Sequence, residues 1–258
     1  MTAKARPKGG SSSPAIQQWN IAIGNFFFRF RNMLFPLVFL TAVVTVRPQV
    51  VLGSATLNGF LVGTGTGMAL AGGALRLLTI GFKYIHRGGK NRTIYAGNLV
   101  TGGMFACTRN PMYLANLMIA TGMILTTCSP EAYGILIPFF LLVYQAILAA
   151  EEEYLFKKFG RQYEEYCATV NRFLPSVRNM RSALSGMVWD WRRAVRKDLS
   201  TIMGLSAGLI MLPVWRAYFL EGLPVARDKA MLAITVLLLA SGFYAVLLYL
   251  KRSRKALF

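Results

Sequence analysis

Long blocks of apolar residues dominate this chain and limit what it can fold into. Hydrophobic residues make up 55% of the 258 residues, and charged residues only 15%. A helix needs about 20 apolar residues to cross the ~30 Å hydrocarbon core of a bilayer, and it satisfies its own backbone hydrogen bonds there. The sequence therefore predicts an all-α, polytopic transmembrane helix bundle. The predicted spans cover residues 33–51, 55–82, 112–129, 131–150, 200–220 and 229–250.

Two of these six spans are less regular than the others. The 55–82 block is long and rich in glycine, and Arg76 lies within it, so a tilted or broken helix is expected. Pro138 lies inside the 131–150 block and should kink it, because proline removes a backbone donor. We therefore favour six spans, with five as the alternative count.

Polar and amphipathic segments flank the predicted core. Residues 1–13 are basic and rich in Ser and Gly, which predicts a disordered leader without a cleavable signal. Residues 21–30 mix phenylalanines with arginine, as an interfacial helix does. Residues 177–199 predict an amphipathic helix on the inner leaflet, with a cytosolic packing helix as the alternative. The chain thus divides into a leader with an interfacial helix (1–32), a core (33–175) and a C-terminal segment with two further spans (176–258).

A glycine-rich run in the second span predicts close helix packing. The run from Gly63 to Gly67 alternates Gly and Thr inside an apolar block. A nucleotide-binding glycine loop would need a strand before it and a helix after it. We therefore expect Gly63 and Gly67 to form a small-xxx-small surface against another helix.

The basic residues are distributed asymmetrically. The formal net charge is +19, and with both termini inside, 24 of the 29 lysines and arginines fall on the cytoplasmic side of the predicted spans. This is the positive-inside pattern of a protein in the cell's inner or plasma membrane, and it favours contact with anionic lipids. It argues against nucleic acid as the partner.

The single histidine of this chain excludes several kinds of catalytic and metal site. His86 is the only histidine, so a histidine-based triad or a multi-histidine metal site is excluded. Cys107, Cys128 and Cys167 show no metal-like or paired spacing, and we interpret them as small packing residues. No metal site is predicted.

Two polar segments lie at the ends of apolar runs. In the first, Asn110 suits a helix N-cap and Pro111 the first helical position, while Arg109 and Tyr113 stand beside them at the mouth of a span. The second begins with three carboxylates at 151–153, and Phe159-Gly160 then indicates a helix C-terminus. Charges at such positions need water, a partner or a ligand. Together the segments predict a polar ligand site at the cytoplasmic membrane face.

The motifs themselves resemble a known family. Their order and spacing are similar to those of the isoprenylcysteine carboxyl methyltransferases, within a wider group of membrane methyltransferases that includes phospholipid N-methyltransferases. The resemblance covers about residues 97–175. It rests on the run Gly102–Leu114, on Glu151-Glu152-x-x-Leu155, on Phe159-Gly160-x-x-Tyr163-x-x-Tyr166 and on Arg172-Phe173-Leu174-Pro175.

This resemblance implies that S-adenosylmethionine binds at the cytoplasmic helix ends and that a lipophilic methyl acceptor enters from the bilayer. Glu151 and Glu152 would form one wall of the cofactor pocket, and Tyr163 is a further cofactor-binding candidate. Arg172 would face the cofactor carboxylate or the acceptor head, and Arg172 and Glu152 are the candidate catalytic residues. The opposite wall would consist of Arg109, Asn110, Pro111, Tyr113 and Leu114.

One position departs from the pattern of the family. Many members have His where this chain has Asn110, and Asn cannot take up a proton. A carboxylate, a thiolate or a neutral amine would need no base at that position, so the acceptor class stays open. Two other interpretations remain: a membrane reductase of the sterol-reductase kind that uses a nicotinamide cofactor, and a non-enzymatic membrane protein.

Overall fold

Seven α-helices make up most of the part of the chain that the structure describes. The structure is a computed structural model, and it describes residues 14–82, 93–176, 185 and 187–256. The helices are α1 (Pro14–Thr45), α2 (Ala55–Phe82), α3 (Pro111–Thr126), α4 (Pro130–Phe159), α5 (Arg161–Thr169), α6 (Trp191–Leu220) and α7 (Leu223–Ala256). Short 3₁₀ turns lie at Val51–Gly53 and Gly103–Ala106. The predicted all-α, polytopic helical bundle is confirmed.

Within the described residues, five helices are long and apolar enough to cross a membrane, which was the alternative count. By length and composition α1, α2, α4, α6 and α7 each suit a membrane crossing. The helix α3, predicted as a sixth span over 112–129, has only 16 residues. It measures about 24 Å at 1.5 Å per residue, which is shorter than a bilayer core.

Two predicted interfacial helices differ from the structure. Residues 21–30 are part of the continuous helix α1, which is long and apolar enough to cross a membrane, and Phe28 is buried in the core beside α4. Residues 187–190 are not helical, and 191–199 form the first turns of α6. The Oδ1 atom of Asp190 accepts a hydrogen bond from the Arg193 N–H and caps that helix at its N-terminus. The leader at 1–13 and residues 177–184 and 186 lie outside the described residues.

The polar residues in the helices do not interrupt them. Arg76 is buried within an unbroken α2, so the expected break is absent. Helix α4 likewise continues through Pro138 and through the carboxylates at 151–153, and it ends at Phe159 as predicted. Gly160 follows with a φ of 51°, a left-handed conformation that glycine adopts at little cost.

Aromatic side chains join α1 to α4. Phe35 packs edge-on against Phe140 and Tyr144, and Phe39 stacks on Phe140 with ring centroids 5.2 Å apart. Gly24 lies directly against the main chain of Ala146 near the other end of the contact. The two helices therefore run antiparallel around one apolar core.

Glycines join α2 to α3, although not those that the sequence predicted. A Cβ on Gly65 would lie 2.6 Å from the Gly122 carbonyl oxygen, and one on Gly72 would lie 2.7 Å from that of Ala115. Gly63 and Gly67 face open space, so their predicted packing role is wrong. Two residues along a helix turn a side chain by about 200°, which places 63 and 67 opposite 65.

These contacts bring several helix ends together. Gly72 of α2 meets the start of α3, and Gly81 near the end of α2 meets Trp189 just before α6. Ala150, near the end of α4, lies beside Gly24 in the first half of α1. Helices α2 and α4 end, and helices α3 and α6 begin, at the same end of the bundle. We call this end of the bundle the "motif end".

Gly122→Ala should destabilise the protein, by about 1–3 kcal/mol, because the added methyl group has no room between α2 and α3. Gly63→Ala is the matched control, and it should be neutral or slightly stabilising because alanine favours helix over glycine. Thermal unfolding of both variants in detergent, followed by tryptophan fluorescence, measures the difference. Equal unfolding temperatures would contradict the glycine packing described here.

Candidate functional site

The two polar motifs meet at the motif end of the bundle. The Arg109 N–H donates to the Asn171 carbonyl at 2.8 Å, and the Ser176 N–H donates to the Cys107 carbonyl at 2.9 Å. Thr108 Oγ1 donates to the Phe173 carbonyl at 3.1 Å. Segments about 60 residues apart are thus fixed side by side, and Arg109 and Arg172 share one region in front of α4.

Glu152 is the centre of this region. Its two carboxylate oxygens accept hydrogen bonds from Nε and Nη2 of Arg172, both at 3.0 Å. Arg109 Nη1 lies 3.7 Å from Glu152 Oε1. Arg172 Nη1 also donates to Gln145 Oε1, at 3.1 Å. A fork-shaped guanidinium suits this two-oxygen geometry, and the two arginines leave an excess positive charge beside one carboxylate.

The cluster is partly exposed. The side-chain exposures are 18% for Arg109, 25% for Glu152 and 32% for Arg172. These groups are therefore covered enough to reduce solvent screening, yet open enough to meet a ligand.

Helix α5 supplies the wall behind Arg109. Arg109 Nη1 donates to the Cys167 Sγ, and the phenol of Tyr163 is buried beside Cys167. Burial alone would lower the pKa of Arg109, but Cys167 and Glu152 outweigh it and raise the pKa, so the guanidinium stays charged. Burial, followed by the charge of Glu152, raises the pKa of Tyr163 well above its usual value. The phenol therefore stays protonated and can donate a hydrogen bond.

Tyr166 holds α5 in place beside Arg109. Its hydroxyl donates to the Phe105 carbonyl at 2.6 Å, which ties α5 to the 3₁₀ turn before α3. Burial raises the pKa of Tyr166, and also that of the Cys107 thiol. Both groups are uncharged at neutral pH and serve packing and hydrogen bonding.

Glu151 faces a second small cluster. It lies within hydrogen-bonding reach of the Tyr113 hydroxyl at the start of α3, and the charge of Arg31 from α1 is close by. Arg31 Nη1 is 3.5 Å from the same hydroxyl. Adjacent residues on a helix point about 100° apart, so Glu151 and Glu152 serve neighbouring faces of one corner of the bundle.

Two polar atoms in this corner have no hydrogen-bond partner within the described part of the chain. They are Oε2 of Glu151 and Nε of Arg109, and both atoms are buried. A buried polar atom without a partner costs about 1–3 kcal/mol, so such atoms are rare unless something else binds them. One is an acceptor and the other is a donor.

The structure separates the nine predicted site residues into three groups. Arg109, Glu152, Tyr163 and Arg172 meet in one cluster. Glu151 and Tyr113 meet in the adjoining one.

The remaining three predicted residues hold the start of α3. Asn110 occupies the predicted N-cap position, but its side chain makes no cap bond and instead donates to the Arg172 carbonyl at 3.1 Å. Pro111 is the first residue of α3 and is fully buried. Leu114 is half-buried, and its N–H bonds to the Asn110 carbonyl.

Three residues of the site were missed by the sequence reasoning. Gln145 lies two turns before Glu152 on the same face of α4, a spacing that would have revealed it. Cys167 lies one turn after Tyr163, but it was interpreted as a packing residue because cysteines are commonly buried. Arg31 reaches the site only because α1 packs on α4, and no local pattern indicates that.

Comparison with known proteins identifies the central segment. Residues 66–162 match the model of the phospholipid methyltransferase family. The resemblance to membrane methyltransferases is thereby confirmed. The match covers well under half of the chain: it includes Arg109 and both glutamates but ends before Cys167 and Arg172. No curated protein and no solved structure matches the chain significantly.

Arg172→Lys should loosen the contact between the two motif segments while keeping the charge. Lysine cannot reproduce the fork to Glu152 and Gln145, and the pair is partly exposed, so we expect a loss of about 1 kcal/mol. Amide exchange at Arg109, whose N–H is bonded to Asn171, should accelerate about fivefold in hydrogen–deuterium exchange.

Arg161→Lys is the matched control, because Arg161 pairs with Glu165 on the exposed face of α5. Exchange at Arg109 should be unchanged in that variant. Identical exchange in the two variants would show that Arg172 does not hold the segments together.

Proposed function

We propose that the protein is an S-adenosylmethionine-dependent methyltransferase of the membrane, acting on a lipid or lipid-linked acceptor at the motif end of the bundle. The observation that carries the proposal is Glu152 between Arg109 and Arg172, because it unites the motifs at one corner of a bundle whose residues 66–162 match the phospholipid methyltransferase family. That family match also favours this function over a nicotinamide-dependent reductase or a non-enzymatic role.

The charges of this corner suit the proposed cofactor. S-adenosylmethionine carries a carboxylate, an ammonium group, ribose hydroxyls and a sulfonium. Arg109 has an unpaired Nε donor, and Glu151 has an unpaired Oε2 acceptor. Arg109 and Arg172 would hold the carboxylate of the cofactor, while Glu151 and Glu152 would accept hydrogen bonds from its ammonium group or hydroxyls.

When bound, the cofactor would supply an electrophilic methyl group. The residues of this chain would contribute alignment and the exclusion of water, which together are worth as much as about 7–11 kcal/mol in favourable cases. The buried phenol of Tyr163 would donate a hydrogen bond into the site without ionising.

Asn110 does not act as a base in this proposal. Its amide already donates to the Arg172 carbonyl, which helps to hold the second motif in place. The acceptor would therefore arrive as an anion, or as an amine that loses its proton to solvent after the transfer. An ionised carboxylate, a thiolate and an amine all satisfy this condition.

The acceptor would reach the site from the bilayer. Five long apolar helices make this an integral membrane protein, and the motif end would face the cytoplasm by the positive-inside pattern. The basic surface there would attract anionic lipids. The short helix α3 also runs from the motif end to the opposite end, antiparallel to α2, so the chain traverses the bundle six times and both termini would be cytoplasmic. A methyl acceptor with a lipid tail would thus approach the corner along the membrane plane.

Glu152→Gln and Arg109→Ala should each weaken S-adenosylmethionine binding about 30-fold or more. The first leaves Arg109 and Arg172 without their counter-charge, and the second removes an arginine that would hold the carboxylate of the cofactor. Calorimetric titration in lipid nanodiscs measures the loss, and helical circular dichroism checks that the variants are folded.

Glu153→Gln is the matched control, since Glu153 pairs with Lys157 along α4 and stays outside the cluster. It should bind as the wild type does. Wild-type affinity in both Glu152→Gln and Arg109→Ala would refute the assignment of the pocket.

A further inference from the structure

A buried ion pair lies deeper in the bundle than the candidate site. Arg76 of α2 donates from Nε to Asp198 Oδ2 at 2.8 Å, and from Nη2 to Asp198 Oδ1 and to Thr201 Oγ1. Its third nitrogen, Nη1, donates to Asn116 Oδ1 of α3. Arg76 is 7% exposed and Asp198 is 1% exposed. Arg76 lies six residues before the end of α2, about 9 Å below the motif end.

The stability of the bundle does not by itself explain such a pair. The desolvation of two charges offsets most of their attraction, and well-packed apolar residues in their place are often as stable or more stable. Charged residues inside a membrane segment are rare and are commonly functional. We therefore expect the Arg76–Asp198 pair to have a function in addition to joining α2 to α6.

A continuous series of contacts leads from this pair to the candidate site. Asn116 accepts from Arg76 through Oδ1, and its side chain lies within hydrogen-bonding reach of the Tyr144 hydroxyl of α4. The Tyr144 ring packs edge-on against the Tyr113 ring, with centroids 5.7 Å apart. Tyr113 in turn meets Glu151. Each member contacts the next, from Arg76 to Glu151.

The acidic partner of Arg76 comes from the C-terminal segment of the chain. Asp198 and Thr201 belong to α6, which lies outside the match to the phospholipid methyltransferase family, whereas Arg76, Asn116 and Tyr144 lie inside it. The sequence motifs indicated no role for residues 176–258. This segment supplies Asp198, the counter-charge for Arg76 in the part of the chain that matches the family.

We propose that Asp198 is a positioning residue for the candidate site, and that it acts by orienting Arg76 and, through Asn116 and Tyr144, the hydroxyl of Tyr113 beside Glu151. As a statement about catalysis, this inference rests on the proposed function. As a statement about the orientation of Tyr113, it stands on the contacts alone.

The test compares a broken pair with an apolar replacement. Asp198→Asn leaves Arg76 without its counter-charge and could impair folding. The double variant Arg76→Met with Asp198→Leu removes both charges and should fold at least as stably as the wild type. Glu221→Gln is the control, because it removes an exposed pair with Lys229 far from the motif end.

Two readouts separate positioning from stability. The first is the ¹⁹F resonance of 3-fluorotyrosine placed at position 113, which requires no cofactor; it should shift or broaden in the double variant and stay unchanged in Glu221→Gln. The second is S-adenosylmethionine affinity, which should fall about 2- to 30-fold in the folded double variant.

The outcomes are distinguishable. A double variant that folds with an unchanged ¹⁹F resonance overturns the positioning role, because the pair would then serve only to join helices. A changed resonance in a protein whose wild type binds no S-adenosylmethionine supports the positioning of Tyr113 and refutes the proposed function instead.

Discussion

The ionic interaction of Glu152 with Arg109 and Arg172 is the contact on which the candidate site depends. A carboxylate at the end of an apolar helix is costly unless it meets an opposite charge. Arg109 and Arg172 meet that need from segments before α3 and after α5, so the charge of Glu152 draws two distant motifs to one corner. Two backbone hydrogen bonds between residues 107–109 and 171–176, and one from the Asn110 side chain to the Arg172 carbonyl, then hold the two segments together.

Close contacts between helices hold together the part of the bundle beneath this corner. Small residues allow the backbones of α2 and α3 to touch, and the aromatic contacts of α1 with α4 bring Arg31 to Tyr113. Arg76 and Asp198 form an ion pair that joins α2 to α6 below this corner. The site is thus a product of helix packing, with each of α1, α3, α4 and α5 contributing at least one side chain.

The order of residues along the chain predicted the helices and helix ends, because these depend on neighbouring residues. The apolar blocks predicted the helical bundle, Gly160 the end of α4, and Asn110-Pro111 the start of α3. Arg31 could not be predicted as a neighbour of the site, because its position depends on how α1 packs. Gly65 could not be chosen over Gly63 without the helix face that α3 covers, and Asp198 could not be matched to Arg76 across 122 residues of sequence.

The most direct test of the central claim is a calorimetric titration of the wild-type protein in lipid nanodiscs, first with S-adenosylmethionine and separately with a reduced nicotinamide cofactor. We predict saturable one-to-one binding of S-adenosylmethionine and no binding of the nicotinamide. Binding of the nicotinamide alone, or of neither compound in nanodiscs that contain anionic lipid, would contradict the claim that the corner around Glu152 is a methyl-transfer site.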